Sequence, residues 1–497
     1  MAKGEGSAEA QLTRDQRQLL AVALVPLFMS LVSVSIVNVV LPSIQISIGA
    51  SNTGLQWVLT GYTLAFGVFL VPAGRAGDLY GRARLFIVGV ALFGVASLAA
   101  GLAPNEVVLN VARVFMGFGS GLLNPQTIGL IQQYFQGEQR GRAFGMFGSM
   151  VGVSVAIGPV LGGVLIALLG PDPGWRAAFF INVPIAAVGI VTAFFWLPRS
   201  AWRALPEALG GHAGKGRPDL DPLGIVLLSA GTLALMLPFL QADVGGWIWA
   251  LLGVGLVLMF LWVRWESRYK ANGRTPMVDL ALFRIRTFAN GSLLVGLYFT
   301  GMTSVWVVVA VYLQLGQGYT ALEAGLVGLP SAIMAAISAA IAGRHVVRVG
   351  RPLVLLGITL LLCGLVGSGV VFLLHDRLGI SIWWLLASMA FIGAGQGHVV
   401  SPNQTLSLRE VPMAYAGAAG GVMQTGQRIG TAVGIALNTA IFFAAQAAFG
   451  WTPAILLTFG SIAAIVAVSG VVGVIDWKQD RERELQGRGE EQAVPEE

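Results

Sequence analysis

Along its 497 residues the chain alternates long apolar runs with short connections that gather most of its charges. The runs fall at about 19–41, 55–74, 85–103, 107–130, 143–168, 179–198, 222–241, 247–266, 288–313, 322–343, 352–374, 381–400, 415–445 and 453–475. At about 1.5 Å per residue, each is long enough to cross a hydrocarbon layer about 30 Å thick as a helix. The pattern predicts an all-α, multi-pass membrane protein of fourteen spans.

Basic residues check the count, because arginine and lysine collect in connections on the cytoplasmic side. With a cytoplasmic N-terminus, that side holds Lys3, Arg14, Arg17, the cluster from Arg75 to Arg84, Arg140, Arg142, the arginines within 199–217 and 264–286, Arg344 to Arg351, Arg409 and the tail from Lys478. The other side holds only Arg176 and Arg377. One span missed or invented would invert every later loop, so both termini are expected in the cytoplasm. The first run is too long for a signal-peptide core and is read as a retained span.

Composition agrees: 56% of residues are hydrophobic and 11% charged, where soluble domains carry about 25% charge. The net charge of +6 sits in inter-span loops, so it reads as membrane topology and not as a nucleic-acid surface. The single cysteine, Cys363, excludes a disulfide framework within one chain and a cysteine metal site. Arginine far outnumbers lysine, as in proteins from GC-rich bacterial genomes.

The expected organisation is an N-terminus (1–18), a first six-helix half (19–198), a glycine-containing linker (199–221), two extra spans (222–266), a cytoplasmic or interfacial segment (267–287), a second six-helix half (288–475) and a disordered tail (476–497). The halves share a plan. Ala73-Gly-Arg with Gly81-Arg82 returns as Ala342-Gly-Arg with Gly350-Arg351 at the same spacing, and Gly117 to Gly121 with Pro125 returns as Gly393 to Gly397 with Pro402. Two six-span repeats suit alternating access, in which one half rocks against the other. Asp78 does not recur, for Val347 takes its place.

Between the second and third runs lies the stretch 73–86, Ala-Gly-Arg-Ala-Gly-Asp-Leu-Tyr-Gly-Arg-Ala-Arg-Leu-Phe, read as a charged turn at a membrane face. Gly74 and Gly81 permit close backbone approach, while Asp78 can pair with Arg82 or Arg84 or rest against a helix N-terminus as a releasable latch. The pattern G-x-x-x-D-x-x-G-R-x-R resembles the signature loop of the major facilitator superfamily. Span five, with Ser154-Val-Ala-Ile-Gly-Pro-Val-Leu-Gly-Gly, resembles the G-x-x-x-G-P-x-x-G-G motif of its fourteen-span drug:proton antiporter branch. There Gly158, Gly162 and Gly163 form a packing face and Pro159 a hinge. Span thirteen carries a second glycine face, Gly426, Gly430 and Gly434, expected to pack on span five.

The resemblance implies export of hydrophobic or amphipathic drugs or antibiotics against inward proton flow, with no cofactor beyond the proton gradient. The family links the span-four arginine, here Arg113, to proton transfer; the bland alternative is a structural partner for polar groups of span one. Where the branch normally has a first-span acid, this chain has Ser33. Candidate proton-coupling groups are therefore Asp78, Arg113 and His398, the last either a titrating group or a satisfied interface histidine. Candidate substrate-path residues are Asn38, Trp57, Tyr62, Asn124, Gln424, Gln427 and Arg428. Arg428 can equally snorkel toward the cytoplasm. Expected partners are a lipophilic small molecule, protons and the bilayer, with no nucleic acid. Gly117-x-Gly-x-Gly is helix packing and not a nucleotide loop, and no catalytic signature marks an enzyme. The missing acid leaves open a lipid or anionic metabolite as cargo; a non-transporting receptor on the same fold is the rival class.

Overall fold

The computed structural model describes residues 12–205 and 219–493, so the linker glycines Gly210, Gly211, Gly214 and Gly216 lie outside the described residues. Fourteen helical rods follow one another: α1 (Arg14–Ile48), α2 (Asn52–Tyr80), α3 (Arg82–Gly101), α4 (Glu106–Tyr134), α5 (Gly137–Leu169), α6 (Pro171–Trp196, with a turn at Ile181), α7 (Pro222–Leu240), α8 (Ala250–Ala271), α9 (Arg286–Val311), α10 (Ala321–Val349), α11 (Arg351–Leu378), α12 (Leu385–Ser407), α13 (Ala416–Phe449) and α14 (Trp451–Ala493). Thirteen are long and apolar enough to cross a membrane. The other, α12, has 23 residues but ends in a buried polar run containing Ser401, Asn403, Gln404, Thr405 and Ser407. That run is satisfied by neighbouring helices, which is how polar groups persist at membrane depth.

Local chemistry starts the rods. Thr13 and Gln16 form a reciprocal capping box on α1, Thr320 and Glu323 another on α10, and Ser51 and Asn105 cap α2 and α4. The region read as a charged turn is largely helix, because nothing breaks α2 before Gly81. Gly81 makes the break with φ +102°, a conformation that side-chain-bearing residues rarely adopt.

The halves pack by the same plan. In the first, α4 lies against α2 and α3, α1 against α5 and α6, and α3 against α6; in the second, α12 lies against α10 and α11, α9 against α13 and α14, and α11 against α14. Each partner is eight helices further along. Each half has its own buried apolar core, one including Phe86, Phe93, Phe144 and Trp175, the other Tyr312, Phe372 and Phe459. Two seams join the halves, α2 on α13 and α5 on α10, related by the same repeat. The extra pair α7 and α8 pack on each other, and Met236 of α7 joins Leu64 and Ala432 at the α2–α13 seam.

Two expectations change. Met277, Val278 and Leu282, read as an interfacial segment, are buried in the first half's core. The tail expected to be disordered from Trp477 instead continues α14 as helix to Ala493: the stretch from Val474 to Gln486 contains no glycine or proline, and the helix runs on through Gly487 and Gly489.

Candidate functional site

At the end of the bundle where α2 meets α3, Asp78 is fully buried. Its carboxylate accepts from Nη2 of Arg82 at 2.8 Å and from the amides of Gly417 and Ala418 at 3.1 and 3.3 Å, in the first turn of α13. The carboxylate thus neutralises a buried guanidinium and fills the donor-rich start of a helix in the opposite half. Arg82 also donates to the carbonyl of Gly129 and to Gln133 Oε1, and Arg75 donates to the carbonyl of Ala414 at 3.3 Å. Both arginines are buried at the seam, whereas Arg84 is exposed and joins none of these contacts.

Glycine lets the seam close. A Cβ on Gly74 would strike the carbonyl of Gly417, and one on Gly421 would lie 2.6 Å from the carbonyl of Leu70. The related seam repeats this with Gly141 and Gly145 against Gly343, but Val347 offers no carboxylate there and the outlying pair is Arg348 with Glu138 at 2.6 Å. Gln132 donates to the carbonyl of Leu408 between the seams. Further along, the small residues turn away from the seams. Gly158 and Gly162 of α5 face Ser35 and Ile36 of α1, Gly430 and Gly434 of α13 face Gly296 and Thr300 of α9, and Gly163 and Gly426 face open space. The glycine face of α13 therefore packs on α9 and not on α5; the two faces occupy repeat-related places, each on the first helix of its own half. Pro159 lies within α5 beside this face.

Deeper in, Tyr62 donates to the carbonyl of Ser30 at 3.1 Å, and its hydroxyl lies 2.6 Å from Ser120 Oγ. Asn124 closes the group by donating to the carbonyl of Ser120 from a buried position. Arg113 Nε donates to the carbonyl of Val58 at 2.8 Å, and its guanidinium carbon lies 4.4 Å from the Tyr62 ring centroid. It also lies 6.0 Å from the Phe179 ring centroid of α6, so among the described residues its partners are on α2 and α6 and not on span one. Arg428 is half-exposed, 4.3 Å over Phe66 in the middle of α2, and does not snorkel to the helix end. Gln424, one turn earlier, is buried; Gln427 is half-exposed; Asn38 and Trp57 are exposed.

The three proton-coupling candidates are not brought together. Asp78 is at the seam, Arg113 lies in α4, and His398 in α12 hydrogen-bonds the carbonyl of Ala394 and packs toward Gly357 of α11.

Sequence reasoning missed the second half's ion pair. Arg351, the repeat of Arg82, pairs with Asp476 on α14, donates to Asn403 Oδ1 at 2.6 Å and to the carbonyl of Thr287, while Asn290 donates to Asp476. The signal existed: with Val347 in place of an acid, the counter-charge for Arg351 had to come from elsewhere, and Asp476 is the first acid after the last apolar run.

Two repeat-related six-helix halves, joined by small-residue seams around a polar midsection, define a membrane transporter of the alternating-access kind. The chain belongs to the Major Facilitator Superfamily, whose family model matches residues 24–435. It is a multi-pass cell-membrane protein and not an enzyme. It is 32% identical over 426 residues to a probable actinorhodin transporter of Streptomyces coelicolor, covering 84% of this chain and 70% of that protein. It is 30% identical over 450 residues to the puromycin resistance protein pur8 of Streptomyces alboniger, covering 89% and 85%. Such relatives accord with the drug:proton antiporter branch. The fold matches that of the proton:xylose symporter XylE with a TM-score of 0.65 over 93% of this chain and 95% of that one, at 15% identity.

Proposed function

We propose that the protein is a proton-coupled exporter of hydrophobic or amphipathic small molecules such as antibiotics, working by alternating access with both termini in the cytoplasm. The observation that carries this reading is Asp78 on the first turn of α13: its bonds to Gly417 and Ala418 can exist only when the α2–α13 seam is closed. The conformation described here is shut at that end. Release of the carboxylate from those amides would let the halves rock the other way. Gly74, Gly81 and Arg82 complete the latch, while Gly158, Pro159, Gly162, Gly430 and Gly434 keep each half's first helix tightly packed during the motion. The curated relatives, an actinorhodin transporter and a puromycin resistance protein, support small-molecule export. Asp78, Arg113 and His398 are the groups to test for proton coupling.

The test is transport in proteoliposomes under an imposed pH gradient, with Asp78→Asn and His398→Gln alongside. Substrate movement that requires the gradient and moves protons the opposite way is expected. Binding with no flux under any gradient would replace the exporter with a receptor.

A further inference from the structure

The middle of the molecule carries positive charge that the latch does not use. Arg113 on α4 and Arg428 on α13 end a ladder of alternating cations and rings: the Arg113 guanidinium 4.4 Å from Tyr62, Tyr62 5.9 Å from Phe66, and Phe66 4.3 Å from the Arg428 guanidinium. No carboxylate of the described residues joins it. Asp78 and Asp476 are taken by Arg82 and Arg351. Glu266 and Asp221, at the basic end, accept from the indoles of Trp262 and Trp265. The other acids lie in end turns, loops or the polar extension of α14. A ring face offsets only part of the cost of withdrawing a guanidinium from bulk water.

The two arginines differ in what they have left to offer. Arg113 is fully buried, its Nε donating to the carbonyl of Val58 and its Nη1 enclosed without an acceptor among the described residues, out of reach of solvent. Arg428 is half-exposed, and among the described residues it has neither a hydrogen bond nor an ion pair. It lies about 18 Å along α13 from the helix start, taking 1.5 Å per residue. Gln424 stands one turn earlier on the same face, 6% exposed, and its amide nitrogen is buried without an acceptor. A guanidinium fork and an unfilled amide donor thus lie one turn apart on one face of α13, the guanidinium over an aromatic ring, a set that suits an oxyanion on a flat apolar body.

We propose that this face of α13 is an anion subsite, and that the preferred cargo is an amphipathic aromatic anion whose carboxylate, sulfonate or ionised phenol sits on Arg428 and Gln424 with its rings against Phe66. The class of cargo rests on the export reading; binding of an anion at Arg428 does not.

Two fluorescent probes with one ring system test it: anilinonaphthalene sulfonate, an anion, and phenylnaphthylamine, its neutral counterpart. They are titrated into the full chain in nanodiscs, with empty nanodiscs as background. The wild type is expected to favour the sulfonate by about tenfold or more, the worth of one charge-assisted contact. That ratio should collapse in Arg428→Gln and largely return in Arg428→Lys. Gln424→Leu, expected to lower it several-fold, keeps the test open should Arg428→Gln not fold. Equal affinity for both probes in the wild type, or a ratio unmoved by both substitutions, would overturn the subsite. Flux separates this from the export reading: anion preference without transport of either probe keeps the subsite and removes export, whereas transport of phenylnaphthylamine without anion preference keeps export and removes the subsite.

Discussion

Asp78 receives Arg82 from its own half and the Gly417 and Ala418 amides from the other, so one carboxylate serves both internal charge balance and closure. Asparagine would keep a single carbonyl acceptor and lose the charge. Since a hydrogen bond to a charged group contributes about 1.5–3 kcal/mol, the closed seam should become roughly ten- to a hundredfold less populated in Asp78→Asn. The measurement is thiol labelling of Ala418→Cys in a Cys363→Ser background, which should speed up by about tenfold or more while transport falls. No change in labelling would remove Asp78 from the latch. Arg351 and Asp476 support a different expectation, because both are buried within one half. Removing one partner of such a pair costs about 3–5 kcal/mol, whereas replacing both with apolar residues costs far less. Asp476→Ala should therefore melt at a lower temperature in detergent than the double variant Arg351→Met with Asp476→Leu. The latch was legible at this scale because Asp78 stands alone among arginines in a recognisable pattern. Asp476 was not, because a carboxylate at the start of a charged tail looks like any solvated acid until α14 is seen to carry it against Arg351.

At the scale of elements, the seams depend on backbones touching where only hydrogen fits. Gly74→Leu would drive a side chain into the carbonyl of Gly417. The half that contains it should still fold, because each half has its own core. The expected outcome is a protein that melts within a few degrees of wild type, with the basic end permanently open to thiol reagents and transport abolished; unimpaired transport would mean that this seam need not close. The glycine face of α13 shows where sequence reasoning reaches its limit. Gly426, Gly430 and Gly434 were recognisable as a close-packing face, but α5 offers an equally smooth face to receive it. Only the assembled bundle assigns α13 to α9 and α5 to α1. Helices apolar on nearly every side carry little local information about which neighbour meets which face.

For the whole molecule, the sign of the cargo has a consequence in an inside-negative membrane. One proton entering against one monoanion leaving moves two charges in the favourable sense, whereas exchange for a neutral molecule moves one. Each charge is worth about 2.3 kcal/mol per 100 mV. Transport of anilinonaphthalene sulfonate should therefore steepen more with an imposed potassium diffusion potential than transport of phenylnaphthylamine; equal steepness would exclude this coupling of charge. Orientation is tested separately, by reporters fused at each terminus that mature only in the cytoplasm. Both should be active.

By itself the sequence determined the number and order of the helices, the two-half plan and the family, because span length, loop charge and short glycine motifs are written in consecutive residues. It also singled out Arg113 and Arg428, since ionisable side chains at membrane depth are costly enough to stand out, and Asp78, as the lone acid in a charged pattern. Tertiary structure alone decided that α13 presents its first-turn amides to Asp78, that Arg351 finds its acid on α14, and that Arg113, Tyr62, Phe66 and Arg428 form one ladder. These are contacts between residues as much as 362 positions apart. No local period encodes them; they exist because two repeated halves, each satisfied within, leave only certain faces free to meet.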